Sequence, residues 1–295
     1  MREVRRSGIE YLNTMTTLLQ RMRNAHPLNG LYQAAELQFW WARPRSTDDL
    51  PQLFWLDDDG LPVAGAATID FGDGSASLLY SEPTSVFAFM PDTSPDFMSQ
   101  AIDRAIEHLG ENGILKMEVE NDPGDETLRE VLFDHGFAVK QEGVLSEALV
   151  SADDRPQVSE LSDGYRLLSR SEMPGRPHHL KSPDAPDPEG RLQQASLYRS
   201  DLDLVVVDDA DEVAVFGMFW NDPTTGVGVV EPMRTMDDHQ QRGLARHILT
   251  SGMERLAEAG ATRISIAFEP DNPASGHLYR SVGFETHRTN DLLTN

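Results

Sequence analysis

Apolar residues recur along this chain with two periods, and the period separates helix from strand. Tyr11, Leu12, Met15, Leu18, Leu19 and Met22 recur three and four apart, which predicts an amphipathic helix over residues 10–23. Met98 to Leu109 and His247 to Leu256 read as helices in the same way. Val227 to Val230 is an unbroken apolar run and reads as a strand, while Arg263 to Phe268 alternates with period two. Asp57-Asp58-Asp59-Gly60 between apolar runs predicts a hairpin turn. It lacks the glutamate and the spacing of an EF-hand calcium loop.

These elements occur twice in similar order. Leu115 to Val119 precedes Asn121-Asp122-Pro123 as Ile264-Ser265-Ile266 precedes Asp271-Asn272-Pro273. Gly136-Phe137 parallels Gly283-Phe284, and the helix at Met98 takes the place of the one at Ala245. The repeat suggests a duplicated α/β unit. Residues 151–163 are polar, contain Pro156 and read as a linker. The expected domains are 1–150 and 164–295.

The second copy carries candidate chemistry. Gln240-Gln241-Arg242-Gly243-Leu244-Ala245 lies between a strand and a helix. Such a turn leaves backbone N–H groups pointing outward at the positive end of the helix dipole. Small residues at Gly243 and Ala245 let a phosphate come close. The bland alternative for Gly243 is an ordinary glycine at a helix start. The segment has neither the G-x-G-x-x-G dinucleotide pattern nor the Lys-Ser/Thr of a Walker loop.

The spacing Gln/Arg-x-x-Gly-x-Gly/Ala resembles the pyrophosphate loop of the GCN5-related N-acetyltransferases (GNATs). Asn272-Pro273-Ala274-Ser275-Gly276-His277-Leu278-Tyr279-Arg280-Ser281-Val282-Gly283-Phe284 resembles that family's next motif, Asn-x-x-Ala-x-x-Leu-Tyr-x-x-x-Gly-Phe, with Ser275 in place of Ala. The resemblance covers roughly residues 164–290. It implies an α/β (α+β) protein of two tandem GNAT-like units, each a mixed, mostly antiparallel sheet flanked by helices. It also implies acetyl-CoA as cosubstrate, no metal, and direct transfer of an acetyl group to an amine.

Several site residues follow from the resemblance. Gln240, Gln241, Arg242, Gly243, Leu244 and Ala245 would hold the diphosphate. The backbone of Met233, Arg234 and Thr235 would pair with the pantetheine arm. Asn272 and Ser275 would sit by the cofactor, with Asn272 also a helix N-cap. Tyr279 would be the acid for the leaving thiolate, or else a core aromatic. Glu231, at the end of the Val227–Val230 strand, would be the base, or else a solvated strand-end carboxylate. Asp237 stands where the family often has proline, and Asp237-Asp238 lies close to the phosphate loop.

The first copy departs at these positions. Its phosphate loop would fall on Thr93-Ser94-Pro95-Asp96-Phe97-Met98, which has no glycine, and Leu132 takes the place of Tyr279. It reads as a unit that has lost its cofactor site. Trp40 and Trp41, with Phe39 and Phe54 near in sequence, are candidates for an acceptor pocket or for ordinary packing. His178-His179 lies in a Pro/Gly/Asp-rich stretch, 174–190, where no further metal ligand is evident, so that stretch reads as a loop.

Composition narrows the classes. The formal net charge is −24, against a nucleic-acid binder and in favour of solubility or a cationic substrate. The chain has no cysteine, which excludes disulfides and thiolate chemistry. No apolar run approaches the roughly 18–20 residues that span a membrane. Met1-Arg2-Glu3-Val4-Arg5-Arg6 is not followed by an apolar core. A cytoplasmic protein, monomer or homodimer, with a small-molecule amine as partner and no nucleic acid or membrane, is expected. The tandem layout also resembles the mycothiol synthases. A non-catalytic acyl-CoA binder or sensor would keep Gln240, Gly243 and Asn272 without needing Glu231 or Tyr279.

Overall fold

A computed structural model describes residues 1–72 and 79–295. The chain forms two compact units, Met1–Leu37 with Pro44–Leu145 and Arg288–Asn295, and Gln38–Arg43 with Ser146–His287.

The first half of the chain runs β1 (Arg2–Arg6), α1 (Gly8–Ala25), α2 (Ala34–Trp40), β2 (Gln52–Leu56), β3 (Pro62–Ile69), β4 (Thr84–Phe89), α3 (Pro95–Glu111), β5 (Glu118–Asn121), α4 (Glu126–Asp134) and β6 (Ala138–Ser151). The second half runs β7 (Tyr165–Ser169), α5 (Pro188–Leu192), β8 (Asp203–Asp208), β9 (Val213–Asp222), β10 (Val227–Thr235), α6 (Leu244–Glu258), β11 (Arg263–Phe268), α7 (Pro273–Ser281) and β12 (Glu285–Thr294). Apart from a second helix between the first two strands of the first half, the two halves repeat one order of strands and helices.

In the first unit the strands lie in the order β1-β2-β3-β4-β5-β12, antiparallel except for β4 beside β5. In the second they lie β6-β11-β10-β9-β8-β7, antiparallel except for β10 beside β11. A parallel pair needs a crossover, and α3 and α6 supply it. The last strand of each sheet comes from an unexpected place. Residues 146–151 of β6 complete the second unit, and residues 288–294 of β12 complete the first. The boundaries read from sequence therefore shift. Nor is 155–163 a free spacer: Arg155 pairs with Glu254 at 2.8 Å, and Ser159 N–H donates to Thr250 at 3.1 Å, both on α6.

Helix α1 buries Leu12, Met15, Leu18, Leu19 and Met22, the residues its periodicity selects. The turn at Asp57 forms, its side chain accepting from the N–H groups of Asp59 and Leu61. The strand expected at Leu115 begins only at Glu118, where pairing with Thr84 starts, and Leu115 is 78% exposed. Ile248, Leu249, Met253 and Leu256 of α6 pack on Leu204, Val206, Val230, Ile264 and Ile266 to make the second core. Helix and sheet come close because of Gly252. A Cβ there would lie 2.0 Å from the Phe219 ring. Among the described residues no helix is long and apolar enough to cross a membrane.

Candidate active site

The site of the second unit starts where its parallel pair comes apart. β10 pairs with β11 from Val227↔Arg263 to Val230↔Ile266, and the pairing stops there. The Glu231–Pro232 peptide is cis, and the register with β9 shifts between Val230 and Met233. Proline has no N–H and cannot extend a ladder. β10 then resumes with Met233, Arg234 and Thr235 opposite Gly217, Phe216 and Val215 of β9. No β11 residue pairs with these three among the described residues. That edge of the strand can pair with a ligand's amides instead.

Glu231 sits at the break. It is half-buried, and burial raises its carboxyl from 4.5 to about 7. Its own carbonyl accepts from Trp220 Nε1 at 2.6 Å. Tyr279 on α7 is buried between Phe268 and Phe284, with ring centroids 5.4 and 6.2 Å away. Burial raises its phenol above the ordinary value, and the charge of Glu231 raises it further. The fold thus brings Glu231 and Tyr279 into one electrostatic neighbourhood, and the phenol keeps its proton at any working pH.

The segment before α6 has the backbone of an anion cradle. Gln241 and Gly243 both take left-handed conformations, with φ of 61° and 76° around Arg242. Alternation of this kind turns successive N–H groups to one side. Gly243 is the N-cap of α6 and gives no side-chain cap, so the first N–H groups of the 15-residue helix have none. A Cβ at Gly243 would meet nothing within 4 Å, so the concavity in front of the helix is open. Gln240, Gln241 and Arg242 are exposed, Ala245 is half-buried, and Leu244 turns its side chain into the core, offering only its backbone.

The motif places Arg242 at the phosphate. Here its guanidinium donates to the Tyr165 hydroxyl and the Asp238 carbonyl, each at 3.1 Å. Tyr165 also meets His239 Nδ1 at 3.0 Å, and Ser162 donates to the Arg242 carbonyl at 2.7 Å. These contacts hold the loop from behind. Asp237 is taken up in the turn, accepting from the Gln240 side chain at 3.3 Å. Asn272 caps α7 by accepting from the Ser275 N–H at 3.3 Å, and Ser275 Oγ donates to the Asn272 carbonyl at 2.8 Å. Asn272 is exposed and Ser275 half-buried.

The equivalent helix start in the first unit is closed. Ser94 caps α3 by accepting from Phe97 N–H at 3.3 Å, Pro95 follows, and Asp96 lies in the first turn. Leu132, fully buried, stands where Tyr279 would have its counterpart.

Residues 166–284 match the family model described as Acetyltransferase (GNAT) family. The match spans about two fifths of the chain, so this stretch is similar to the GNAT family. Over 83 residues it is 34% identical to the mycothiol acetyltransferase of Tsukamurella paurometabola, 27% of this chain and 28% of that protein. Over 88 residues it is 31% identical to the mycothiol acetyltransferase of Kocuria rhizophila, 28% of this chain and 29% of that protein. The matched stretch is thus under a third of the length of these relatives. A tandem GNAT protein from the clavulanic acid biosynthesis pathway superposes with a TM-score of 0.67 at 13% identity, covering 100% of this chain and 98% of the other. A GCN5-related N-acetyltransferase from Sphaerobacter thermophilus superposes with a TM-score of 0.59 at 13% identity, covering 99% and 95%. At such identities the likeness is one of fold, and that fold is the tandem GNAT fold.

Two groupings in this chain were not legible in the sequence. Phe54 is buried in β2, and Trp41 has its own partners in the second unit. It stacks under the Arg191 guanidinium, 3.8 Å from the ring centroid, and donates to Gln194 at 3.1 Å. His178 and His179 do find a third group, Asp203 on β8. His178 Nδ1 accepts the Leu180 N–H at 3.1 Å, so Nε2 carries the hydrogen and donates to Asp203 at 2.9 Å. Tyr198 donates to the same oxygen at 2.9 Å. Burial lowers His179 to about 4 and keeps it neutral. His178 and Tyr198 thus tie the 174–200 segment to β8 through Asp203, while His179 Nε2 and Asp203 Oδ1 have no hydrogen-bond partner among the described residues.

Proposed function

We propose that the second unit is an acetyl-CoA-dependent N-acetyltransferase acting on a small-molecule amine, in the cytoplasm. The observation that carries this is Glu231: a carboxyl raised to about 7 by burial, at the point where β10 leaves β11. A general base works best with a pKa near the operating pH.

The cradle formed by Gln240, Gln241, Arg242, Gly243, Leu244 and Ala245 would hold the diphosphate, and the free edge of Met233–Thr235 would hold the pantetheine amides. Asn272 and Ser275 stand at the start of α7 beside that path. Acetyl-CoA supplies the activated acetyl group. An alkylamine resembles lysine and arrives protonated, with a pKa near 10.4. Glu231 takes that proton, directly or through a water, and frees the nitrogen lone pair. Tyr279 faces the other end of the reaction. A free thiol has a pKa of about 8.5 and a free phenol about 10, so full proton transfer to the departing sulfur runs uphill by roughly 2 kcal/mol even before burial raises the phenol. Tyr279 therefore stabilises the sulfur by donating a hydrogen bond.

An acceptor screen on the full-length chain, monitored by release of the CoA thiol, tests the reading. Turnover with some amine, lost in Glu231→Gln, supports it. CoA binding without turnover across primary amines would favour the acyl-CoA sensor instead. The short identities to mycothiol acetyltransferases support including an aminoacylated sugar acceptor in that screen.

A further inference from the structure

The first unit keeps a cleft at the same point of its own sheet. β4 and β5 pair at Thr84↔Glu118, and a cleft of about 350 Å³ lies beyond that pair. Its walls come from the end of β4 (Phe87, Phe89), the end of β5 (Glu120, Asn121) and the segment after α1 (Leu31, Tyr32). The diphosphate grip is missing here, because Ser94 already caps α3 and Asp96 adds a negative charge. The cleft has lost that anion site but not its volume.

Two buried polar groups line it. Glu120 is 3% exposed. The Tyr80 hydroxyl donates to it, as does Asn290 Nδ2 at 3.2 Å, and the Tyr32 hydroxyl lies in the same neighbourhood. Both donors are neutral, and burial pushes the carboxyl up. A carboxylate has about four lone-pair sites, so these donors leave it room for one more. Asn121 is 1% exposed; its Oδ1 accepts from Arg129 at 3.1 Å, while its Nδ2 has no partner among the described residues. A buried donor left unmade bears its full desolvation penalty, which a ligand oxygen would relieve. The rim is acidic as well. Asp122 and Asp125 line the cleft, and the Arg288 guanidinium is tied to Asp122 at 3.4 Å.

We infer that this cleft binds a small organic amine, its ammonium on Glu120, a carbonyl or hydroxyl oxygen on Asn121 Nδ2, and its apolar skeleton against Phe87, Phe89 and Leu31. The inference stands apart from acetyl transfer in the second unit. It needs neither Glu231 nor the Gly243 cradle.

The test is calorimetry on the full-length chain with L-phenylalaninamide, and with its N-acetyl derivative as the uncharged comparator. Phenylalaninamide should bind, and the comparator should bind at least about tenfold more weakly. Glu120→Gln should weaken phenylalaninamide by about ten- to a hundredfold, the range for one buried hydrogen bond to a charged group. Glu231→Gln should leave this binding event in place. Thermal unfolding checks that Glu120→Gln is folded. If it is not, Thr127→Trp, which fills the cleft from its exposed rim, should abolish binding without touching the carboxyl. Absent binding, equal affinity for the comparator, or affinity unmoved by the folded variants would overturn the proposal. So would a second equivalent of bound CoA that Thr127→Trp displaces.

Discussion

Glu231→Gln replaces an ionisable carboxyl by a neutral group of the same shape, and its effects can be worked out from the structure. Burial raises Glu231 from 4.5 to about 7, which at 1.36 kcal/mol per unit amounts to roughly 3 kcal/mol. That shift narrows the gap to an alkylammonium at about 10.4 from roughly six units to between three and four. The proton then moves over a much smaller hill. Loss of a positioned base should lower turnover at neutral pH on the order of 10²–10⁴-fold. The assay is kcat/KM for the best acceptor between pH 5.5 and 9.5. The parent should rise tenfold per unit at low pH and bend near 7. The Gln variant should lose the bend and go on rising as free amine appears. Stability should move as well. The raised pKa means the folded protein holds a proton that the unfolded chain has released. Stability is therefore full below about pH 4 and declines as pH rises toward 7, by up to roughly 3 kcal/mol. Glutamine mimics the protonated form, so the variant should melt several degrees higher than the parent at pH 8 and no higher at pH 4. A Gln variant with parental activity at pH 7, or one that keeps the bend near 7, refutes Glu231 as the base.

Other outcomes follow from the same geometry. Gly243→Glu combines a left-handed residue with a carboxylate in the open cradle, so calorimetry should find CoA binding abolished with the fold retained. Parent protein should bind one CoA per chain, since Ser94 and Asp96 close the equivalent helix start in the first unit; two sites of similar affinity would overturn that contrast. Tyr279→Phe keeps the packing on Phe268 and Phe284 and removes one donor. Turnover should fall on the order of 10²–10³-fold with CoA affinity little changed, and an unaltered rate with chemistry limiting would reassign the residue to packing. If the net charge of −24 draws in a cationic acceptor, kcat/KM should fall with added salt, as screening cuts the reach of the field to about 8 Å at physiological strength. A flat salt dependence with a dead Glu231→Gln would leave that charge a matter of solvation.

The sequence by itself determined what depends on near neighbours along the chain. Period and turn chemistry act over a few residues, so the faces of α1 and α6, the turn at Asp57, the glycine before α6 and the cap at Asn272 were all readable. So was the repeat of one unit, because it restates the same local patterns in the same order. The contrast between Gly243 and Ser94 was visible as well, since the presence or absence of a Cβ at a helix start is a local fact.

Tertiary structure decided everything that depends on pairing across long stretches of chain. Backbone hydrogen bonds do not read side-chain identity, so nothing in β6 or β12 announced which unit's sheet each would complete. Periodicity could not place Trp41 under Arg191, or carry Asp203 from β8 to His178, because those contacts join segments with no shared pattern. It overestimated the strand at Leu115, since the start of β5 is set by its partner Thr84. The central quantity, the affinity of Glu231 for its proton, was also beyond the sequence. A glutamate after an apolar run looks the same whether solvated or enclosed. Only the parting of β10 from β11, with Tyr279 brought in on α7, takes water away from the carboxyl and raises it to about 7.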